Sequence, residues 1–544
     1  MANSRFNIDH SPFTIHDMNA IYNQLKLVDF IIVGIYLFIL IGIGYWVSFV
    51  QKKNKDENLF LANRSLGWAS IGFTMWGTNV GPSMLVASAS IGYSTGIVAG
   101  NFAWYAFVFI LMLAVVFAPR YLGANVSTLP EFLGKRFGEN TRNILAWYTL
   151  ITILISWLSL GLFAGGVLIR QLLGLEMWLS VIIMVVVATL FVIAGGLKTI
   201  AYTSVFQMLL LIVVSLVLVG IGVSKAGGIM AIYEKTPSHY WNLFLPAGDK
   251  DFPWPAILLG YPVMGVWFFC TEQSMVQSVL GAKSLKQGQL GANFNAWLKI
   301  LDVPLFMIPG VICYILYPHL KSPDLAYLTM VTNLFPPGMK GLIIVVLIAC
   351  LISTIGASLN SVSTVFTMDI YIKKYKPEAT NRDIIKIGRI ITVVGALASV
   401  SVALAIDALK DRLNLFNIFQ SVLGFLAPPM TVAFLFGVLW KKTTALAINI
   451  VLTVGTAFCL IVGVLYLWVI PSDAWPHFLL LSFYLFVVLS AMTYAVSVLD
   501  KQGVLKLQQA TYFKSAGKPD KQVLAMWGIL IAVMVGLYII FNGH

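Results

Sequence analysis

The sequence predicts an all-α membrane protein of fourteen transmembrane helices, ten of them arranged as two inverted five-helix repeats. Three observations carry this reading. Of the 544 residues, 59% are hydrophobic and only 10% are charged, whereas soluble domains carry roughly 25% charged residues. The apolar residues fall into long runs, each near the ~20 residues that a spanning helix needs. Two of these runs, five spans apart, are interrupted by Gly and Pro near their centres. Such a composition excludes a cytosolic enzyme, a nucleic-acid-binding domain and a disordered chain. The net charge of +13 then reads as loop charge on one side of a membrane.

In chain order the spans are 28–50, 67–92, 96–121, 140–174, 177–195, 198–225, 254–282, 290–317, 338–374, 383–406, 414–439, 443–469, 475–499 and 522–541. The runs 140–174 and 338–374 are long enough to tilt or to project beyond the bilayer. Residues 1–27 are polar and lack the apolar centre of a cleavable signal peptide. They form an outward-facing N-terminal segment. One extra helix (28–50) precedes the first repeat (67–225). The second repeat (254–439) is followed by three further helices (443–541). Lys and Arg set the orientation: 24 of the 35 fall in alternate loops on one side, beginning with Lys52, Lys53, Lys55 and Arg64. That side is cytoplasmic, so both termini of this multi-pass protein of the inner (plasma) membrane face outward. Cys270, Cys313, Cys350 and Cys459 lie far apart in apolar stretches, without zinc or redox spacing.

Span 2 breaks at Gly77-Thr78-Asn79-Val80-Gly81-Pro82-Ser83, and span 7 is interrupted at Gly260-Tyr261-Pro262-Val263-Met264-Gly265. Proline lacks an N–H and clashes with the preceding turn, while glycine relaxes the backbone. Each segment alone reads more simply as an ordinary kink, since Gly and Pro are common in membrane helices. Unwound backbone at membrane depth is tolerated only where protein or a water-filled cavity covers it. Broken helices at matching places in two odd-numbered repeats, the second therefore inverted, point to the binding site of a secondary transporter.

Span 9 supplies the facing surface, Cys350-Leu351-Ile352-Ser353-Thr354-Ile355-Gly356-Ala357-Ser358-Leu359-Asn360-Ser361. Its hydroxyls either bond back to their own helix carbonyls or point at the break in span 2. In the second case the carbonyls of Gly77 and Val80 and a carbonyl near Cys350 join the hydroxyls of Ser353 and Thr354 as five neutral oxygens. Hard cations take oxygen ligands, and a cage without carboxylates suits a monovalent ion.

These residues resemble the sodium/solute symporter family, which includes the sodium/glucose cotransporters, as a bacterial member, over roughly residues 28–470. The motifs that carry the likeness are Phe60-Leu61-Ala62-Asn63-Arg64-Ser65-Leu66, Cys270-Thr271-Glu272-Gln273 with Val276-Gln277, Leu359-Asn360-Ser361 running to Phe366-Thr367-Met368-Asp369-Ile370-Tyr371, Pro428-Pro429, and Leu439-Trp440-Lys441-Lys442. The resemblance implies a leucine-transporter-like five-plus-five inverted repeat. It also implies sodium as the ion, held by Gly77, Val80, Cys350, Ser353 and Thr354, the same five groups.

Sugar-carrying members are similar at Asn79, at Lys299 in span 8 and at Gln420 in span 11. An intramembrane lysine is costly and marks function by default; the other reading of Lys299 is an ion pair with Asp302 or Glu272. Gln420 offers both donor and acceptor to hydroxyls, and Phe268 and Trp104 supply apolar walls. The chain departs from glucose and galactose carriers at Ala103, Ala106 and Met84. Phe268, flanked by Trp267 and Phe269, stands where relatives have a gating Tyr. Sugar or polyol is therefore the leading solute, with an organic acid such as a sialic acid, an amino acid or a vitamin as alternatives. Related carriers with a second sodium have an Asp where this chain has Ser204, and extra serines where it has Gly356 and Ala357. One sodium per solute is expected. A channel would need a polar stripe or filter loops, a sensor an appended domain, and an enzyme a nucleophile or His/Cys cluster. None of these stands out, so the expected function is sodium-coupled import by alternating access, without nucleic-acid partners.

Overall fold

Apolar residues on nearly every face make helices that bury one side and offer the other to lipid. The first helix, α1 (Leu27–Tyr45), buries Tyr36 and Leu40 and leaves Phe38 and Ile41 exposed. The structure, a computed structural model, describes residues 25–46, 60–409, 415–469, 475–503, 517 and 519–541; side chains 82, 83, 171, 409, 415–422 and 468 lie outside that description. The description therefore omits most of the 1–27 segment, Lys52, Lys53 and Lys55, and the side chain of Gln420. The regular elements among the described residues are helical, with two isolated bridges, Leu66 to Ala282 and Leu245 to Pro253. Ten of the described helices are long and apolar enough to cross a membrane.

Span 2 is divided where expected. α2 (Trp68–Asn79) ends at Val80 (φ −83°, ψ 86°), and α3 (Pro82–Thr95) begins after the extended Gly81 (φ −93°, ψ 163°). The Gly81 N–H bonds the Asn79 carbonyl at 3.1 Å, not the carbonyl of Gly77 four residues back. Pro82 has no N–H to offer Thr78. Two carbonyls at the end of α2 thus lose their usual partners.

Spans 5 and 6 run as one 50-residue helical element, α4 (Met177–Ala226), folded at Gly196 (φ 54°, ψ −140°). Only glycine takes that conformation without strain. At 1.5 Å per residue such an element would otherwise reach about 75 Å, more than twice the hydrocarbon core.

Span 7 differs from the expectation. Residues 260–265 remain helical, because a wide π-helical turn over Ala256–Gly260 precedes Pro262 and absorbs its missing donor. The chain leaves helix at Glu272 (φ −82°, ψ 127°), after a second π-helical turn at Trp267–Thr271, and α5 (Gln273–Leu280) follows. The Glu272 carboxylate stops the helix there by accepting from the Met275 N–H at 2.9 Å and from the Ser274 hydroxyl.

Glycines set how closely the broken helices approach their neighbours. α6 (Leu285–Ile300) lies along α2, where a Cβ on Gly72 would stand 3.0 Å from the Gly291 carbonyl. α7 (Ile308–Leu316) lies along α3, where a Cβ on Gly310 would stand 1.9 Å from the Ala89 carbonyl. Span 9 forms α8 (Met339–Val365), which is almost wholly buried. Its N-terminus is capped from α1: Asp29 accepts from the N–H groups of Gly338 and Gly341 at 2.8 and 2.7 Å.

The quoted motifs do structural work beside the site. The Gln277 amide donates to the Phe60 carbonyl and the Thr364 hydroxyl and accepts from Ser361, joining the segment before α2 to α5 and α8. Asp369 is paired with Arg142 at 2.6 Å. Arg136 donates to the carbonyls of Gly437, Trp440 and Lys441 at the end of α9 (Leu415–Leu439). The last helix, α10 (Lys521–Ile540), packs against α6.

Candidate functional site

Thr354, near the middle of α8, reaches the break in span 2. Its hydroxyl stands 3.3 Å from the Gly77 carbonyl and 3.0 Å from the Cys350 carbonyl one turn back. A hydroxyl has one proton, so these two carbonyls compete for it while the hydroxyl's own lone pairs stay free. Thr354 therefore both bonds back to its helix and faces the unwound segment. Gly77, Val80, Cys350, Ser353 and Thr354 are all buried. The Met84 N–H bonds the Gly81 carbonyl rather than that of Val80. Three neutral oxygens brought within hydrogen-bond range fit a monovalent cation.

Ser353 turns instead toward the second half of α4. It donates to the Gln207 side-chain oxygen, and its hydroxyl lies 3.2 Å from that of Ser204. The Gln207 amide in turn donates to the Tyr36 hydroxyl of α1 at 3.3 Å. Gln207 and Tyr36 were not selected from the sequence. The available signal was a glutamine inside an apolar run, three residues from Ser204. A Cβ added at Gly356 would meet Ile200 at 3.7 Å, so that position faces an apolar side chain of α4.

The second polar group lies two residues beyond Gly77. Lys299, only 2% exposed, donates to the Asn79 side-chain oxygen and to the Asp302 carboxylate at 2.8 Å. The other Asp302 oxygen accepts from the Trp76 indole N–H at 2.8 Å. Of the two partners considered for Lys299, Asp302 is the one in contact; Glu272 caps α5. Trp76 is the residue that sequence reading missed. It lies fully buried with its ring stacked on Phe306 at 6.2 Å.

The two expected walls sit in one apolar cluster. Phe268 packs on Trp157 and Phe269 at 4.9 and 4.8 Å. Trp104 donates to the Ile300 carbonyl at 3.2 Å, next to Lys299, and packs on Tyr538 and Phe541. Ala103 and Ala106 are buried in the same cluster. The side chain of Gln420 lies outside the described residues.

Many apolar helices, one unwound where its Gly77 carbonyl meets a hydroxyl of another, define the class: this is a multi-pass membrane carrier. The chain belongs to the sodium:solute symporter family, whose model matches residues 59–449, and its coupling ion is sodium. Among its relatives, sodium/glucose cotransporter 1 of Oryctolagus cuniculus is 31% identical over 455 residues, 76% of this chain and 68% of that one. Sodium/glucose cotransporter 4 of Danio rerio is 30% identical over 453 residues, 77% and 69% of the two chains. Sodium/myo-inositol cotransporter 2 of Homo sapiens is 30% identical over 450 residues, 76% and 66%. The fold is shared with a Na+-coupled sialic acid symporter solved in a substrate-bound outward-open state. That likeness has a TM-score of 0.72 and 18% identity and covers 90% of this chain and 99% of the other. Mhp1, a nucleobase-cation-symport-1 family transporter, matches with a TM-score of 0.53 and 14% identity over 85% and 98%.

Proposed function

We propose that this protein imports a small uncharged polar solute, a sugar or polyol, together with one sodium ion by alternating access. The observation that carries the proposal is the crowding of both polar groups onto one turn. Gly77 faces Thr354, and Asn79, two residues on, holds Lys299. Sodium held by Gly77, Val80, Cys350 and Thr354, together with the remaining lone pair of the Ser353 hydroxyl, whose proton goes to Gln207, would tie α2 to α8. The same act fixes the helix end that presents Asn79 to the solute. A ligand shifts a conformational equilibrium only by its differential affinity for the two states, and a shared helix end makes each ligand strengthen the other's preferred state. The relatives' names, sodium/glucose and sodium/myo-inositol cotransporter, support the solute class.

In this reading Asn79, Lys299 and Gln420 are polar contacts, and Phe268 and Trp104 are walls. Fourteen spans are proposed as two repeats, 67–225 and 254–439, with both termini on the outer side of the inner membrane. The ten long helices support that count once the folded α4 is taken as two spans. The broken span 2, the interrupted span 7 and the shorter Leu423–Leu439 segment add the remainder. One sodium rather than two follows from Ser204 in place of a carboxylate and from Gly356 and Ala357, which have no hydroxyls.

Uptake of labelled glucose, myo-inositol, sialic acid and an amino acid into proteoliposomes, in sodium or in potassium, tests the proposal. Sodium-dependent uptake confined to glucose or myo-inositol is expected. Sodium-dependent uptake of the acid or the amino acid alone would overturn the solute class.

A further inference from the structure

We propose that Asp302 is the residue that makes the solute site select uncharged polyhydroxy compounds over carboxylates. The inference rests on the proposed reading of Lys299 and Asn79 as solute contacts. Four side chains form a square on two facing segments: Trp76 and Asn79 at i and i+3 on one, Lys299 and Asp302 at i and i+3 on the other. Lys299 donates to Asn79 and Asp302, and Trp76 donates to the second oxygen of Asp302. Lys299 and Asp302 are each 2% exposed, and Trp76 is fully buried. The carboxylate is therefore held at both oxygens, and the ammonium is neutralised before any solute arrives.

The unused hydrogen-bonding capacity follows. An ammonium has three donors and a carboxylate about four acceptor positions. The contacts above use two of each, which leaves one donor beside two acceptors. A hydroxyl can accept from the first and donate to the second, so neighbouring hydroxyls of a sugar or polyol match the square. A carboxylate can only accept, and here it would lie against Asp302. Like charges brought together in a site closed to water are strongly disfavoured. A lone buried lysine would attract an acid; the paired lysine repels one. Glu272, the other carboxylate considered for Lys299, accepts instead from the Ser274 hydroxyl and the Met275 N–H and does not alter the balance.

The test compares glucose with glucuronate, which differ by one carboxylate. Each is measured as an inhibitor of sodium-driven glucose uptake by the full chain in proteoliposomes. The same ligands are measured as stabilisers in thermal unfolding of the purified protein, so loss of turnover does not hide binding. The wild type should be inhibited by glucose at least ~10-fold more strongly than by glucuronate, because a pair of like charges typically costs more than the 1.4 kcal/mol of one decade. Asp302→Asn keeps the shape and frees the ammonium, and should reverse the preference toward glucuronate. The double variant Lys299→Gln with Asp302→Asn removes the pair as a unit and should show no gain for glucuronate. Trp76→Phe, which keeps the ring and removes the indole donor, should shift the ratio in the direction of Asp302→Asn by a smaller factor. An unchanged glucose-to-glucuronate ratio in Asp302→Asn, with Lys299→Gln still impaired for glucose, would overturn the charge filter alone. Normal glucose uptake by Lys299→Gln would overturn the underlying site reading. Equal binding of glucuronate and glucose by the wild type would likewise overturn the charge filter.

Discussion

Thr354 has one hydroxyl proton and two carbonyls, those of Cys350 and Gly77, within reach of it. In the proposed reading a sodium ion would satisfy both carbonyls and the hydroxyl oxygen together. Thr354→Ala removes one ligand, a loss comparable to a hydrogen bond of roughly 0.5–1.5 kcal/mol. It should raise the sodium concentration for half-maximal uptake about 2–10-fold, by more than it raises the solute KM. Thr354→Ser should restore the wild-type value, and sodium titrations of uptake by the three proteins check this. Gln207→Leu should also weaken sodium dependence, because Ser353 loses its acceptor and is no longer held in one rotamer. The same change strands the Tyr36 hydroxyl, and thermal unfolding should show a loss of about 1–3 kcal/mol. The facing of Gly77 and Thr354 was legible because a Gly–Pro break and a hydroxyl cluster are both local signals. Gln207 and Trp76 were not, since their partners stand 146 and 226 positions away in the chain. Nothing local tells a satisfied buried amide or indole from an ordinary apolar neighbour. Lys299 was legible as costly, and its competing readings are joined by geometry: Asp302 and Asn79 share the one ammonium.

At the scale of elements, proline and glycine predicted breaks correctly in one span and misplaced them in another. Pro82 follows the extended Gly81 and starts a new helix, so the chain unwinds there. Pro262 follows a wide turn that needs no donor at that position, and the helix passes through to Glu272. A carboxylate placed to cap the next helix decided the second case, and a Gly/Pro pattern does not register it. The boundary between spans 5 and 6 was legible for the opposite reason, because Gly196 carries the fold of α4 by itself. Gly310→Ala would set a Cβ 1.9 Å from the Ala89 carbonyl. Backbone cannot yield there without parting α3 from α7, and the cost should be about 1–3 kcal/mol, read as a lower unfolding temperature in detergent. Asp29→Ala removes the one carboxylate oxygen that accepts from both N–H groups at the start of α8 and should destabilise by about 1–3 kcal/mol. Asp29→Asn, which keeps one oxygen, should lose less.

For the whole molecule, composition and the periodic return of apolar runs made the membrane bundle plain, while the count of spans depends on how broken and folded helices are scored. In the proposed reading one cation cradle and one solute site share α2, so coupling should be stoichiometric. Reversal potentials at fixed gradients should give one sodium per solute; a ratio of two would mean that Ser204, Ser353 and Gln207 form a second cage despite having no carboxylate. The most direct measurement of the central claim is accumulation of labelled glucose or myo-inositol inside sodium-free proteoliposomes after dilution into sodium. A transient rise above the equilibrium level that vanishes when potassium replaces sodium is expected. Equal accumulation in the two salts would contradict it.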